Sequence, residues 1–297
     1  MKVLIGGGSG FIGKALTNLL RGKGHEVTII SRKPGPGQIT WDDVAFKGLP
    51  PCDGVVNLAG ENLMNPLRWW NDEFKKDLIS SRLNTTKTLV KAMVASDKLP
   101  NSWVLVTGVG YYKPSETLEY TEDSEGGDFD FLSQLVTEWE AAGRLPEDQA
   151  KSVRQVVIRS GIVLGKDGGA MKQMIWPFWL GLGGILGTGH QPFPWIHVAD
   201  MAGIILHCLE PKYNVSGILN GVAPATDTNA VFTHALGTVL RRPTIFPVPS
   251  FAINAIFGNE RGSVLLHGQK VIPRRTLESG YVYKYPELQP ALKNIVY

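Results

Sequence analysis

The alternation of strand-like and helix-like segments along this chain predicts an α/β protein built on a doubly wound parallel sheet. Residues 1–20 read as an apolar run, a glycine cluster and a helix-compatible stretch, which is the order strand, tight turn, helix. Later β-branched or apolar runs are separated by longer stretches, as crossover helices in a parallel sheet require. These further predicted strands are 26–31, 54–58, 103–107, 154–159 and 217–221.

The glycine cluster has the spacing of a dinucleotide-binding turn, G-x-x-G-x-x-G, a relative of the G-x-G-x-x-G fingerprint. Glycines at this spacing allow a tight turn off the strand, close backbone approach to a pyrophosphate and close packing of helix on strand, while free N–H groups at the helix start face the phosphates. The pattern therefore predicts an NAD(P)-binding Rossmann fold, with an unliganded glycine turn as the alternative. The predicted contacts in this segment are Gly7, Ser9, Gly10, Phe11, Ile12 and Gly13.

The end of the second predicted strand favours NADP over NAD. NAD-preferring sites place an acidic residue about 20 residues beyond the glycines, where it accepts hydrogen bonds from ribose hydroxyls. This chain has Ser31, Arg32 and Lys33 there. A carboxylate would repel a 2′-phosphate, whereas a hydroxyl and a guanidinium can bind it. We therefore expect NADP as the cofactor, held by Ser31 and Arg32, with a solvated basic loop as the alternative.

Other segments are expected at the same edge of the sheet, because the carboxyl ends of parallel strands meet there. Small residues at 57–60 would let the backbone approach a ligand, and Arg82, on the amphipathic stretch 74–93, is expected to anchor cofactor or substrate. The remaining predicted cofactor contacts are Leu58, Ala59, Gly60, Glu61, Arg82, Thr107, Gly108 and Ser160.

Composition fits a globular protein of 297 residues, with 43% hydrophobic and 19% charged residues. A net charge of +3 is too small and too evenly spread to suggest nucleic acid or a membrane as the main partner. We expect a small-molecule substrate of unknown identity and leave a homo-oligomer open. Two cysteines, a first strand that begins at Lys2 and the lack of an apolar run of ~20 residues lead us to expect an intracellular protein. The cytoplasm is the default compartment, and an organelle is left open.

Five motifs carry a resemblance to a known family: GGGSGFIG, VVNLAG, VLVTGVGYY, VVIRSGIVLG and PWIHVADMA. In order and spacing the chain resembles the extended and atypical short-chain dehydrogenase/reductases, including nucleotide-sugar epimerases. The segments RWW…SRLNTT, FLSQLVTEWE and VPSFAINAIFGNERGSVLL resemble an atypical epimerase-family branch more narrowly, over essentially the whole chain. The resemblance implies a Rossmann core and a cofactor cleft closed by a smaller lobe.

The catalytic pair that this resemblance implies is missing. Enzymes of the superfamily generally use a Tyr and a Lys four residues later, and the Lys lowers the pKa of the Tyr so that it exchanges a proton with a substrate hydroxyl. None of the eight tyrosines is followed by a lysine at that spacing. By the same comparison, the hydroxyl residue of the triad falls near Thr107 and Gly108. The helix predicted to carry the pair offers Phe131, Leu132, Leu135 and Val136.

Tyr111 and Tyr112, at the carboxyl end of the predicted strand 103–107, are the remaining catalytic candidates. Packing or substrate contact is the alternative for each, because a phenol near its usual pKa of ~10 is a poor base at neutral pH.

The rest of the chain predicts a small α-rich C-terminal lobe. We expect a Rossmann NADP-binding core at 1–165, completed by segments around 194–222, and a substrate-binding lobe made of 166–193 and 223–297. Within it, an apolar helix runs into a glycine-rich loop at 170–189. This segment could act as a substrate lid or a dimer contact, although core packing explains most of its side chains.

The histidines do not predict a metal site. His190 and His197 are seven residues apart and have only Asp200 at a suitable ligand spacing. We expect His197 and Asp200 to be structural hydrogen-bonding groups at the start of a helix.

Two classes of function compete. The first is an NADP-dependent oxidoreductase, epimerase-like in fold, that acts on a small molecule without the usual Tyr-Lys pair. The second is a non-catalytic NADP-binding redox sensor or assembly factor. A sugar-nucleotide epimerase proper is less favoured, because that reaction depends on the missing tyrosine.

Overall fold

A computed structural model describes residues 1–65, 67–127 and 129–297 of the chain. Its strands are β1 (Lys2–Gly6), β2 (Glu26–Ser31), β3 (Gln38–Thr40), β4 (Gly54–Asn57), β5 (Ser102–Gly108), β6 (Ser115–Tyr120), β7 (Arg154–Ser160), β8 (Ile162–Gly165), β9 (Trp195–His197), β10 (Gly217–Gly221) and β11 (Gln269–Val271). Its α-helices are α1 (Phe11–Gly22), α2 (Trp41–Lys47), α3 (Asp72–Val94), α4 (Phe131–Ala142), α5 (Glu147–Ala150), α6 (Gly169–Trp179), α7 (Val198–Leu209), α8 (Asn229–Leu240), α9 (Ser250–Phe257), α10 (Asn259–Leu266), α11 (Arg274–Glu278) and α12 (Leu288–Val296).

The main sheet of the described residues has the strand order β10-β7-β5-β4-β1-β2-β3, and each neighbouring pair is parallel. The chain enters in the middle of the sheet at β1, builds outward to β3, and then crosses to β4 and builds toward β10. The direction of winding therefore reverses between β1 and β4, and the crevice at the carboxyl ends of these strands is where ligands bind in such sheets. The predicted doubly wound α/β fold is confirmed.

Helices cover both faces of this sheet. On one face, α1 and α7 bury Leu16, Leu20 and Ile205 against apolar side chains of β1, β5 and β7. On the other face, α2, α3 and α4 contribute Val44, Leu78 and Trp139, respectively, to a second core. Because the central strands are covered on both sides, they read as nearly continuous apolar runs. Within the described ranges, no helix has both the length and the apolar character that a bilayer crossing would need.

The C-terminal part adds its own apolar core and a small sheet that the sequence did not predict. Met171 of α6, Phe232 of α8 and Leu292 of α12 are buried in one cluster. The strands β6 and β11 pair with each other although about 150 residues of chain separate them, which explains why a local pattern could not reveal the pairing. The boundaries proposed between core and lobe stay a prediction.

Two polar residues at the start of α7 tie the tail of the chain to the core. Asp200 is 0% exposed, and its carboxylate accepts hydrogen bonds from the backbone N–H groups of Lys284 at 2.6 Å and Tyr285 at 2.9 Å, and from the hydroxyl of Tyr281 at 3.0 Å. His197 caps α7, its Nδ1 accepting the N–H of Ala199 at 3.1 Å. Burial lowers the pKa of His197 to about 4, so the ring stays neutral and able to accept. Both residues are structural hydrogen-bonding groups, as predicted.

Replacing this buried acceptor tests its structural role. We expect Asp200→Ala to lower the free energy of unfolding by about 3 kcal/mol, because buried donors lose the charged acceptor that satisfies them. Urea unfolding followed by tryptophan fluorescence measures the change, with Asp167→Ala, an exposed carboxylate of the same chain, as the matched control. Equal unfolding midpoints for the two variants would contradict the role assigned to Asp200.

Candidate functional site

The predicted glycine turn lies at the carboxyl end of β1 and is as tight as its spacing suggested. Gly7 has a φ of +74°, and a Cβ placed on it would lie 2.8 Å from the backbone nitrogen of Ala59. A Cβ on Gly13 would lie 2.5 Å from the carbonyl oxygen of Gly7. Gly10 closes the turn by donating its N–H to the same oxygen at 3.0 Å. A side chain at Gly7 would therefore push the turn away from Leu58 and Ala59, and a side chain at Gly13 would push α1 away from the turn.

The start of α1 is suited to an anion. The N-cap residue is Gly10, no side chain caps the helix, and the first turn holds no acidic residue. The first N–H groups of a helix have no partner inside the helix and carry the positive end of its dipole. The residues present therefore fit the pyrophosphate of a dinucleotide.

Phe11, Ile12 and Ser9 take different positions around this turn. The ring of Phe11 packs against the residues that connect β8 to α6. It lies so close that a Cβ on Gly165 or Gly168 would clash with it. Ile12 packs against the core and Ser9 is exposed. Only the backbone of Phe11 and Ile12 can therefore serve a phosphate, whereas the hydroxyl of Ser9 is accessible to a ligand.

The predicted 2′-phosphate residues lie beside the glycine turn. β2 is the parallel neighbour of β1, and Gly7 donates its N–H to the carbonyl of Ile30 at 3.2 Å, which brings Ser31 and Arg32 to the same edge. Arg32 is exposed, and the hydroxyl of Ser31 accepts the N–H of Lys33 at 3.3 Å. The arrangement offers a hydroxyl and an exposed guanidinium to a phosphate, and the residues that end β2, Ser31-Arg32-Lys33, include no carboxylate.

The segment after β4 forms the facing wall. Leu58 donates its N–H to the carbonyl of Gly6 at 2.8 Å. The buried side chain of Asn57 accepts the N–H of Ala59 at 3.0 Å and donates to the hydroxyl of Thr86 at 2.9 Å. The backbone of Leu58 to Gly60 is thus held against the glycine turn by β1 on one side and by α3 on the other.

Arg82 supports this wall from behind. Its guanidinium donates to the carbonyls of Glu61 at 2.9 Å and Leu78 at 3.1 Å, and a Cβ on Gly60 would come within 3.1 Å of its central carbon. Burial lowers the pKa of Arg82 to about 10, while the charge of Glu61 acts in the opposite direction. These hydrogen bonds show a scaffolding role for Arg82, and its direct contact with a ligand stays a prediction.

The polar side chains at the ends of β5 and β7 are turned inward. The hydroxyl of Thr107 donates to Glu140 at 3.2 Å, and that of Ser160 donates to the carbonyl of Gly161 at 2.8 Å. Gly108 is the register partner of Ser160. The hydroxyl that the resemblance places in a proton relay is therefore already engaged.

A buried ion pair lies directly behind these residues, and the sequence did not single it out. Arg159 is 2% exposed, and its Nε and Nη2 each donate to one oxygen of Glu140 at 2.8 Å. Burial alone would lower the pKa of Arg159, but the hydrogen bonds and the charge of Glu140 raise it above its usual value. The sequence signal was an arginine directly after the apolar run VVI of β7, since a charge next to buried strand residues needs a partner when it is itself buried.

The two candidate tyrosines differ sharply. Tyr112 is 0% exposed; its hydroxyl donates to Asn220 at 2.9 Å and accepts from Arg159 at 3.0 Å, and burial raises its pKa. Tyr111 is half-buried, with the guanidinium of Arg159 3.4 Å from its ring centre. The expectation that Tyr112 could donate a proton to a substrate is corrected, because that hydroxyl is sealed inside the protein. Tyr111 is left as the candidate.

The face of α4 where the Tyr-Lys pair was expected is apolar. Phe131 packs edge-on against Trp70, with ring centres 6.0 Å apart, and Leu135 and Val136 are buried. The helix begins with a capping box at Asp130 and is joined to α3 where Trp139 donates to the hydroxyl of Thr86 at 2.9 Å. This helix therefore serves as packing and offers no acid or base at those positions.

Comparison with known proteins identifies the family. The model of the NAD dependent epimerase/dehydratase family matches residues 3–220, and that of a domain of unknown function, DUF1731, matches residues 248–295. The chain belongs to the NAD dependent epimerase/dehydratase family. The family resemblance drawn from the five sequence motifs is confirmed.

Three family members show how far the similarity extends. The chain is 62% identical to the Bos taurus epimerase family protein SDR39U1 over 297 residues, covering 100% of both chains. It is 37% identical to the chloroplastic SDR39U1 homologue of Arabidopsis thaliana, covering 100% of this chain and 87% of that one. The crystal structure of human SDR39U1 (isoform 2) with NADPH superposes with a TM-score of 0.96 at 61% identity, covering 99% of each chain. The cofactor in that crystal agrees with the predicted preference for NADP.

The 2′-phosphate site can be tested by charge reversal. We expect Arg32→Glu to weaken NADPH binding by about ten- to a hundredfold, the effect of losing a charge-assisted hydrogen bond, and to leave NADH binding nearly unchanged. Calorimetric titration of both nucleotides measures the difference. Arg144→Glu, an exposed arginine just beyond α4, is the matched control. An equal loss of affinity for both nucleotides would refute the assignment.

The ion pair can be tested by removing one or both charges. Glu140→Ala should lower the free energy of unfolding by about 3–5 kcal/mol, because it leaves the guanidinium of Arg159 buried without a partner. The double variant Glu140→Leu/Arg159→Leu should recover much of that loss, since no buried charge is then left alone. Chemical denaturation measures both, and Glu138→Ala, at an exposed position of α4, should change little. A double variant no more stable than the single one would count against this account.

Proposed function

We propose that this protein is an NADP-dependent oxidoreductase acting on a small molecule without the Tyr-Lys relay of its superfamily. The observation that carries the oxidoreductase assignment is the dinucleotide cradle formed by the glycine turn and the start of α1. The apolar face at the relay position on α4 is the reason that the reaction would proceed without the Tyr-Lys pair. The NADPH in the crystal of the 61% identical human protein supports the cofactor. When bound, the cofactor would supply hydride transfer at C4 of its nicotinamide ring.

The residues of the chain bind and orient this cofactor. The N–H groups at the start of α1 hold the pyrophosphate, and Gly7 and Gly13 let the backbone come close enough to do so. Ser31 and Arg32 bind the 2′-phosphate. The backbone of Leu58 to Gly60, braced by Arg82, forms the opposite wall.

The supply of protons limits the class of substrate. Tyr112 and Thr107 are committed to internal hydrogen bonds, so Tyr111 is the hydroxyl that remains near the end of β5. Reduction of an isolated carbonyl produces an alkoxide, a strong base that needs an acid in the site. Reduction of a conjugated acceptor such as an enone produces a more stable anion, which water can protonate. We therefore favour a conjugated, electron-poor acceptor.

A non-catalytic NADP-binding sensor is the second candidate. The same apolar face of α4 and the sealed hydroxyl of Tyr112 favour it, because a protein that only reports the redox state needs the cradle and no proton donor. A sugar-nucleotide epimerase is less well supported, because its reaction needs the tyrosine that α4 lacks.

Turnover assays separate the two candidates. The purified protein, given NADPH and a panel of enones and simple carbonyls, should oxidise the cofactor with the enones, as measured by the loss of nicotinamide absorbance. If Tyr111 donates the proton, Tyr111→Phe should lower the rate by about a hundredfold, and Tyr213→Phe, far from the cleft at the end of α7, should leave it unchanged. Full turnover in Tyr111→Phe would assign the proton to water or substrate. Tight NADPH binding without turnover across the panel would favour the sensor.

A further inference from the structure

Large apolar side chains are exposed together on one part of the C-terminal lobe. They come from α6, from the loop after it and from the segment that leads into α9. Trp176 is 66% exposed, Leu180 is 72% exposed and Phe251 is 76% exposed. We call the set the apolar face: Trp176, Trp179, Leu180, Leu182, Ile245, Phe246 and Phe251.

Backbone pairing brings the two contributing segments side by side. Val248 donates its N–H to the carbonyl of Ile185 at 2.8 Å, and Gly187 donates to the carbonyl of Val248 at 2.9 Å. Gly184 lies so close to the carbonyl of Phe246 that a Cβ could not fit between them. The guanidinium of Arg242 lies 5.9 Å from the ring centre of Trp179. The residues after α6 and those before α9 therefore form one continuous surface.

The exposed side of α6 combines aromatic and cationic character. Lys172, Trp176 and Trp179 are spaced i, i+4, i+7 and are all exposed, so they share one side of the helix. Phe178 and Met171 point inward and are buried. The helix is thus anchored by its buried side chains and presents two indoles and an ammonium group outward.

The charged side chains that these stretches themselves contribute are all cations. The sequence contains no Asp or Glu from 168 to 199 or from 228 to 259, which are the stretches that supply the face. The same stretches supply exposed Lys172, Arg241 and Arg242. The net charge of +3 led us to expect evenly spread charge and no membrane partner, but these two stretches contribute cations and no acids beside the exposed tryptophans.

We propose that the apolar face docks on the surface of an anionic lipid bilayer. Tryptophan side chains favour the boundary between headgroups and acyl chains, and an apolar surface bordered by cations binds such a boundary through area and charge together. A second copy of the chain fits less well. In a two-fold symmetric contact both copies would contribute the same cation-bearing stretches, and neither copy has a carboxylate within these stretches to neutralise them.

Vesicle binding tests the docking surface directly. The full-length protein with NADPH should sediment with vesicles of equal parts phosphatidylcholine and phosphatidylglycerol, should bind phosphatidylcholine alone much more weakly, and should be released by high salt. Trp176→Glu/Phe251→Glu should reduce binding by at least about tenfold. Lys172→Gln and Arg242→Gln should each reduce binding to the anionic vesicles by about fivefold.

Controls separate docking from misfolding and from self-association. Phe46→Glu places a single glutamate at an 86% exposed phenylalanine on α2, and this variant should bind vesicles as the parent does. Unchanged NADPH affinity in every variant shows that the fold is intact. The proposal is overturned if neither vesicle retains the protein, or if Phe46→Glu and Trp176→Glu/Phe251→Glu behave alike. It is also overturned if ultracentrifugation shows a dimer that Trp176→Glu/Phe251→Glu dissociates while vesicle binding is absent, because the face would then belong to a second copy.

Discussion

The buried ion pair between Arg159 and Glu140 fixes the end of the sheet where the chemistry of this fold takes place. A guanidinium and a carboxylate held away from water are costly unless every remaining donor and acceptor is satisfied. Here Thr107 and Tyr112 add further partners, with hydrogen bonds to Glu140 and Arg159 at 3.2 Å and 3.0 Å. Side chains that could otherwise face a substrate are thereby committed to the interior.

The hydrogen-bond network around this ion pair extends into the C-terminal part of the chain. Tyr112 donates to Asn220 of β10, whose side chain in turn donates to the carbonyl of Ile272 at 3.0 Å. The buried carboxylate of Glu122 accepts the backbone N–H groups of Asn220 and Arg275 at 2.9 Å and 3.2 Å. The same polar network therefore holds the end of β5, the last strand of the sheet and the segment around α11 in one arrangement. A proton relay at this end of the sheet would need the hydroxyl of Thr107 or of Tyr112 to be free of these internal hydrogen bonds.

The sequence predicted those features that local chemistry determines. The glycine spacing, the missing acid after β2, the apolar face of α4 and the capping role of His197 depend on residues near one another in the chain. The structural role predicted for Asp200 is instead fulfilled by partners more than 80 residues away. The burial of Tyr112 could not be predicted in the same way, because its partner Asn220 is 108 residues distant. The β6–β11 pairing and the choice of Glu140 as the partner of Arg159 are likewise decided by tertiary contacts. Arg82 was predicted only in part. Its position on the amphipathic helix predicted that it lies near the cofactor site, but the sequence did not predict that its guanidinium donates to backbone carbonyls.

The two ends of the proposed dinucleotide site differ in chemistry. For this reason the residues that would bind the cofactor do not indicate which reaction takes place. The end where we propose that the adenosine binds has backbone N–H groups, glycines and the exposed guanidinium of Arg32, all of which suit phosphate charge. The other end contains a rigid, internally satisfied network with Tyr111 stacked on Arg159. Such an end can orient a ring or a substrate, and orientation alone can lower a barrier substantially, but it supplies no titrating group at the positions on α4 where the superfamily has one. A family member built in this way can retain the cofactor and still depend on the substrate for its reactivity.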